Sequence, residues 1–215
     1  MAAEPPIELP IFPLGLVALP GEGVPLHIFE ERYKQMIAHC LRHAPGERGR
    51  CFVILWLDEK RLRSVGCACE VEDVLERAED GRINILARGR DPVHLVERLD
   101  TLEFPAGLVT LLPDEGEVDL AATTEARELY RELVVEATDR ELEYDELEEL
   151  SAYAMAATVE FPPAEKQQLL ELRSEAARMR LLADMLREAM RRLRLADIAE
   201  VRARSNGHLW YGWGG

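Results

Sequence analysis

The spacing of apolar residues changes along the chain, and this change is the feature that most restricts the fold. Apolar residues alternate with period two up to about residue 112 and repeat with a period of about 3.6 after residue 119. The link between them is acidic and contains Gly116. We therefore predict an α+β protein with a strand-rich part at residues 1–117, a helical bundle at residues 118–206 and an aromatic tail at residues 207–215.

The strand-rich part contains seven short apolar runs, at residues 7–14, 24–29, 52–57, 65–75, 82–87, 93–99 and 106–112. Asp80 and Gly81 separate two of them and indicate a hairpin, because glycine accepts the positive φ of a tight turn. The pattern predicts a small barrel-like sheet. One inserted helix, at about residues 30–42, should bury Tyr33, Met36, Ile37, Cys40 and Leu41. Phe29 precedes this helix and is expected to pack against it as a hydrophobic staple.

The helical part contains an apolar stripe at residues 126–137 and another at residues 147–155, where Asp145 and Glu148 are spaced as a capping pair. A short third helix should open after Pro162. Ser174 is expected to cap a long last helix that ends before Asn206 and Gly207.

The charge balance argues against nucleic acid as a partner. With 26 basic and 41 acidic residues, the net charge is −15, which repels a phosphate backbone.

No apolar run approaches the roughly 20 residues that span a bilayer, so no membrane partner is expected. Four cysteines without a disulfide-like spacing fit a reducing cytoplasm.

The sequence motifs of common enzymes are absent. None of the three lysines follows glycine and precedes serine or threonine, so there is no Walker-type phosphate loop. None of the four serines lies in a nucleophile motif, and Ser174 already has a role as a helix cap. We expect a protein without catalytic residues and without a cofactor.

Three residue pairs allow a chemical interpretation beside a structural one. Cys67 and Cys69 share one face of a strand, as a metal or redox pair or as small core residues. His39 and His43 are four residues apart on a helix, a spacing that suits a metal but also the dipole at a helix C-terminus. Glu70 and Glu72 could act as acid and base, but solvent-facing positions are favoured. We favour the structural interpretation of each pair and predict no metal site.

An extended motif resembles a known family. The segments at residues 9–14, 19–21 and 25–33 read LPIFPL, LPG and PLHIFEERY, and resemble the opening signature of Lon protease N-terminal domains. Residues 65–67, 80–85 and 88–89 follow in that family's order, and residues 165–171 are similar to its short helix before the last long one. The resemblance covers about residues 7–195. At residues 90–92 the sequence Arg-Asp-Pro departs from the family's basic and aromatic continuation.

The resemblance implies a PUA-like β-barrel packed on a helical bundle, and a function in selecting unfolded or tagged polypeptides for degradation. The ATPase and protease modules of a full Lon protease have no counterpart in this sequence, so an adaptor or regulator of proteolysis is expected. Two other classes remain open. The first is an RNA-binding PUA-like protein, which would need a basic groove with aromatic residues; the second is a small-molecule or metal-dependent hydrolase, which would need a deep polar pocket.

Two sets of residues are candidates for contact with partners. In the loop before the second strand, Leu16, Val17 and Leu19 are predicted to contact polypeptide, unless they belong to the core. In the tail, Trp210, Tyr211 and Trp213 are predicted to dock in an apolar groove, either on the same chain or on a second copy in a homo-oligomer.

Overall fold

The computed structural model describes residues 5–59, 61–99, 102–116 and 119–207, with the side chains of residues 197 and 199–207 left out. The strands are β1 (Ile7–Leu14), β2 (Gly23–Ile28), β3 (Cys51–Asp58), β4 (Arg61–Arg77), β5 (Ile83–Leu99) and β6 (Ala106–Leu111). The helices are α1 (Glu31–Cys40), α2 (Leu120–Thr138), α3 (Tyr144–Glu148), α4 (Ala152–Ala156), α5 (Pro163–Glu171) and α6 (Glu175–Gly207). The tail residues Trp210, Tyr211 and Trp213 lie outside the described residues.

The six strands form one mixed sheet in the order β2-β5-β4-β3-β1-β6. β1 and β3 are parallel, and the other pairs are antiparallel. β5 also pairs with β6. Among the described residues, β2 pairs with β5 alone. The predicted α+β class is confirmed, but the sheet is mixed and is not a clean barrel, because β2 stays at an edge.

The β4–β5 hairpin is the longest part of the sheet. Gly81 has φ of +81° and its N–H donates to Ala78 O at 3.0 Å, so the predicted turn is confirmed. The two strands predicted at residues 82–87 and 93–99 are one strand of 17 residues. Ala68 pairs with Asp91 and Cys69 pairs with Gly89, which leaves Arg90 as the extra residue of a bulge. The residues between the two predicted strands, 88–92, are therefore part of β5, with Arg90 as the one extra residue.

Helix α1 covers one side of the core. Tyr33, Met36, Ile37 and Cys40 are buried as predicted, whereas Leu41 is half-buried. The Phe12 ring lies 4.2 Å from the Tyr33 ring and 6.1 Å from the Phe52 ring, measured between centroids. A second buried cluster inside the sheet is made of Leu9, Ile11, Val53, Leu55, Ala68, Val93 and Val109. Each large apolar side chain buried in this way contributes about 1.5–3 kcal/mol.

The chain divides into two compact units. The first contains Met1–Val118 and Ser151–Arg178, and the second contains Asp119–Leu150 and Met179–Gly215. Helices α4 and α5 therefore belong with the sheet: in α5, the Gln167 side chain donates to Val65 O on β4 at 3.1 Å. The predicted single bundle at residues 118–206 is not confirmed, because these two helices pack elsewhere.

In the second unit, α2 and α6 run in the same direction. Asp119, Glu125 and Glu136 are hydrogen bonded to Arg180, Arg187 and Arg194 respectively, so the residue numbers rise together. Asp119 also caps α2, because its side chain accepts the Ala122 N–H at 3.1 Å. These bonds lower the pKa of Asp119, first through the backbone N–H and then through the guanidinium.

Four helix ends can be compared with the predictions: one matches and three differ. The stripe at residues 147–155 is two helices, because the Ser151 hydroxyl accepts the Ala154 N–H and starts α4. The capping box of α3 is Glu143 with Glu146 rather than Asp145 with Glu148. Ser174 caps α6 as predicted, accepting the Ala177 N–H at 3.4 Å. α6 continues through Gly207, since glycine permits but does not impose a left-handed helix end.

Candidate functional site

A tight turn at residues 19–22 positions the start of β2. Pro20 and Gly21 are its central residues, Gly21 has φ of +82°, and the Glu22 N–H donates to Leu19 O at 3.0 Å. This is the geometry of a type II turn. Gly21 N–H donates to Gly89 O and Gly89 N–H donates to Glu22 O, both at 2.9 Å, so one residue of β5 faces two residues of the incoming chain. The resulting bulge fixes the register of β2 on β5.

The Glu22 side chain holds the same turn from the other side. One carboxylate oxygen accepts the Leu19 N–H at 2.9 Å, and the other accepts from Lys166 Nζ at 2.5 Å. The two side chains are only 16% and 13% exposed, so water competes little for this ion pair. Helix α5, which carries Lys166, therefore anchors the turn that leads into β2.

The three loop residues predicted to contact polypeptide differ in accessibility. Val17 is 4% exposed and Leu19 is 0% exposed, so both belong to the core in this structure. Leu16 is half-buried and presents part of its surface to solvent. Contact through Leu19 would require the turn to leave the core, so the predicted role of the loop is best carried by Leu16 and stays a prediction.

A shallow groove of about 440 Å³ lies along β2, β5 and β4. Its lining consists of Pro25, Leu26, His27, Leu75, Glu76, Asn84 and Ile85. Leu75 is 57% exposed because a bulge separates the pairs Val74–Ile85 and Glu76–Asn84, which turns the intervening side chain away from the core. The groove therefore offers apolar atoms to solvent at a place where the sheet is irregular.

Phe29 enlarges this apolar surface. It is 61% exposed, and its ring lies 6.0 Å from the His27 ring, measured between centroids. The expectation that Phe29 packs against α1 as a staple is wrong, because the chain leaves β2 with this side chain directed to solvent. Apolar side chains that stay exposed next to one another are typical of interaction sites.

A row of polar side chains crosses the groove. The Asn84 amide donates to Glu76 at 2.7 Å, and its carbonyl oxygen lies 2.6 Å from His27 Nδ1, which must therefore donate. Beside this row, Arg88 forms a bidentate pair with Glu72 and donates to Gly21 O at 3.0 Å. The polar groups of the groove thus satisfy one another and hold its walls in place.

The two glutamates considered as an acid and base pair have separate roles. Glu72 is exposed and bound to Arg88, as a solvent-facing residue should be. Glu70 is 8% exposed, contrary to expectation, and accepts the Gly46 N–H at 2.7 Å. Arg90, the bulge residue of β5, lies 3.2 Å from its other oxygen. Burial of Glu70 is tolerated because both of its carboxylate oxygens have partners. These partners come from distant parts of the chain, so Glu70 joins the loop after α1 to the sheet.

The histidine pair is bound to neighbouring charged residues. His39 Nδ1 lies 2.8 Å from Arg42 Nη2, which can only donate, so this nitrogen is an acceptor. Burial, then the Arg42 charge, lowers the pKa of His39. His43 lies 3.6 Å from Glu47. Within the part of the chain that the structure describes, no group of three or more metal-binding side chains is arranged around a common point.

The cysteine pair lies in the core. Cys67 and Cys69 are both 0% exposed, and the thiol hydrogen bond between them, together with burial, raises the pKa of Cys69 well above its usual range. Thiols that reagents cannot reach are poor nucleophiles and poor metal ligands. Over the described ranges, no helix is long and apolar enough to cross a membrane.

The fold and the groove define a class of protein: an α+β domain with a mixed sheet that exposes apolar surface beside an edge strand. The chain belongs to the family of the ATP-dependent protease La (LON) substrate-binding domain, whose model matches residues 8–188. This match confirms the resemblance seen in the sequence. A substrate-binding domain of this kind is not catalytic in itself.

The solved structures that are similar to this chain include two Lon N-terminal domains. The Lon N-terminal domain protein from Xanthomonas campestris is 22% identical, with a TM-score of 0.63 over 82% of this chain and 96% of its own. The N-terminal domain of the Mycobacterium avium complex Lon protease is 23% identical, with a TM-score of 0.66 over 84% of this chain and 98% of its own. No protein of curated function matches the chain.

Sequence reasoning missed the groove residues His27, Leu75 and Asn84. One signal was present: Val74 and Leu75 are adjacent apolar residues, and neighbours in a regular strand cannot both face the core. The bulge that resolves this conflict depends on the register with β5, which the sequence alone does not fix.

Proposed function

We propose that this protein is a non-catalytic module that binds unfolded polypeptide in the groove along β2, β5 and β4. The observation that carries the proposal is the exposure of Phe29 and Leu75 beside that groove in a substrate-binding-domain fold. Unfolded chains differ from folded proteins in exposing apolar side chains, and these gain free energy by leaving water. The net charge of −15 favours segments that also carry basic residues.

We further propose that the module acts in proteolysis as an adaptor or regulator that holds unfolded or tagged polypeptides for a protease. Its four cysteines are free, which fits a reducing compartment such as the cytoplasm. Recovery of a protease together with its unfolded substrates, in a pull-down with the intact chain but not with a groove variant, would support this role. A groove that binds polypeptide without ever recovering a protease would contradict it.

Binding can be measured with fluorescein-labelled α-lactalbumin that is reduced and carboxymethylated, and therefore permanently unfolded, by titration in fluorescence anisotropy. Replacing Phe29 and Leu75 with serine removes the largest exposed apolar side chains of the site. If each is half-buried on binding, the loss is about 1 kcal/mol per side chain, so the double variant should bind roughly thirtyfold more weakly.

Val96→Ser is the matched control. Val96 is 52% exposed on β5, at the end of the strand that pairs with β6 rather than β2. This variant should bind within twofold of the unchanged protein. Equal affinity of the groove variant and the control, or failure of the unchanged protein to bind the unfolded probe at all, would contradict the proposed function.

A further inference from the structure

We infer that the groove recognises polypeptide through its backbone as well as its side chains: an extended segment adds to the open edge of β2 as a further strand of the sheet. This inference rests on the proposed function and specifies how that site would work. The occupant is an extended segment with apolar residues at alternate positions and basic residues nearby. Among the described residues β2 pairs with β5 alone, so the outer edge of β2 has no strand beside it.

The register of β2 decides which backbone groups face that edge. Glu22 receives the Gly89 N–H, and hydrogen-bonded pairs then recur at every second residue of an antiparallel ladder. Val24, Leu26 and Ile28 are therefore bonded to Ala87, Ile85 and Ile83, the residues opposite them. The N–H and C=O groups of the intervening residues, Gly23, Pro25 and His27, point to the open edge.

Pro25 agrees with this assignment. A proline has no N–H, so it is tolerated in a strand only where no ladder bond is needed. At the open edge it removes one of the three outward donors and keeps the carbonyl acceptor. The edge of β2 thus offers the N–H groups of Gly23 and His27 and three carbonyls, which discourages permanent pairing but allows a reversible one.

The side chains of the same three positions face solvent. Gly23, Pro25 and His27 are exposed, whereas Val24, Leu26 and Ile28 are buried. The row from His27 through Asn84 to Glu76 crosses the sheet at right angles to the strands. A strand added at β2 would place every second side chain next to His27, the end of this row, where Pro25 and Phe29 supply apolar contacts.

Extended backbone is the ligand that this edge can recognise. Outward donors and acceptors repeat about 7 Å apart along a strand, and only another strand presents partners at that repeat. A helical segment has already satisfied its own backbone groups and could use only the side-chain surface. Recognition through the backbone is indifferent to sequence, which suits a reader of unfolded chains.

The test uses a ten-residue synthetic peptide in which leucine and threonine alternate between flanking lysines. Two derivatives carry N-methyl groups, one on the leucine amides and the other on the threonine amides, so that each has one blocked edge with unchanged side chains. Strand addition predicts that one derivative binds the full chain at least about tenfold more weakly and that the other stays within about threefold. Affinities of the two derivatives within threefold of each other would overturn the inference.

Pro25→Ala supplies a second test, because it restores an outward N–H. The ratio of affinities for the unmethylated peptide and its weaker derivative should rise by about two- to tenfold in this variant, the value of one net hydrogen bond. An unchanged ratio would overturn the inference. If both derivatives bind equally and the Leu75→Ser variant loses them, the groove stands and strand addition is wrong. If no peptide or unfolded protein binds, the proposed function itself has failed.

Discussion

Gly89→Ala tests whether the turn at residues 19–22 is built around a close backbone contact. A Cβ at Gly89 would lie 2.1 Å from Leu19 O and 3.2 Å from Cys67 Sγ. The Leu19 oxygen belongs to the backbone and cannot rotate away, so the turn must move. That movement disturbs the two hydrogen bonds of 2.9 Å that join Gly89 to Gly21 and Glu22.

The magnitude follows from these two effects. Each hydrogen bond contributes about 0.5–1.5 kcal/mol, and forcing an extra carbon into a filled site costs about 1–3 kcal/mol. We expect Gly89→Ala to lower the free energy of unfolding by about 3 kcal/mol. For a chain of 215 residues this corresponds to a Tm lower by roughly 6–12 °C.

Thermal unfolding followed by circular dichroism gives the result directly. Gly15→Ala is the control, since a Cβ there would meet nothing within 4 Å. The control should match the unchanged protein or gain up to about 1 kcal/mol through a less flexible unfolded chain. A Tm for Gly89→Ala within 2 °C of the unchanged protein would refute the reasoning.

Three further outcomes are expected. Arg178 is 2% exposed, bonded to Asp114 and Glu175 and stacked over Tyr153, so Arg178→Met should lower the free energy of unfolding in urea by about 2–4 kcal/mol, and a loss below 1 kcal/mol would contradict a stabilising role of these contacts. Burial raises the pKa of Cys40 to about 12 and that of Cys51 to about 11, so at pH 8 the native thiols should react with a disulfide reagent far more slowly than in guanidinium. Unfolded thiols ionise first, so stability should fall as the pH rises above about 9; equal thiol rates in both states would contradict this. Deleting residues 208–215 should lower Tm and remove blue-shifted tryptophan emission if the tail docks as proposed; unchanged Tm and emission typical of water would refute docking.

Local signals predicted the parts of the fold that depend on neighbouring residues. The Asp80–Gly81 hairpin, the buried stripe of α1 and the Ser174 cap each require only a few adjacent side chains, and each is confirmed. The prediction of two separate strands at residues 82–87 and 93–99 is wrong, because pairing with β4 continues between them through a bulge. Strand continuity depends on a partner that lies far away in the sequence.

The candidate site was harder to predict for the same reason. The family motif drew attention to residues 9–33, but it consists largely of turn and core residues such as Pro20 and Leu19. Leu75 reaches the groove only because a bulge redirects it, and Glu70 is buried because Gly46 and Arg90 converge on it. The adjacent apolar residues Val74 and Leu75 signal an irregular strand but not its register with β5, and the burial of Glu70 has no local sequence signal.

Site-specific crosslinking tests the central claim most directly. A photoreactive phenylalanine analogue placed at Leu75, or at Val96 as the control, should be illuminated in the presence of unfolded carboxymethylated α-lactalbumin. Both positions are more than half exposed, so neither replacement disturbs the core. The account predicts strong crosslinking from position 75, competed by unlabelled unfolded protein, and little from position 96. Equal yields from the two positions, or yields at position 75 that a competitor does not reduce, would contradict it.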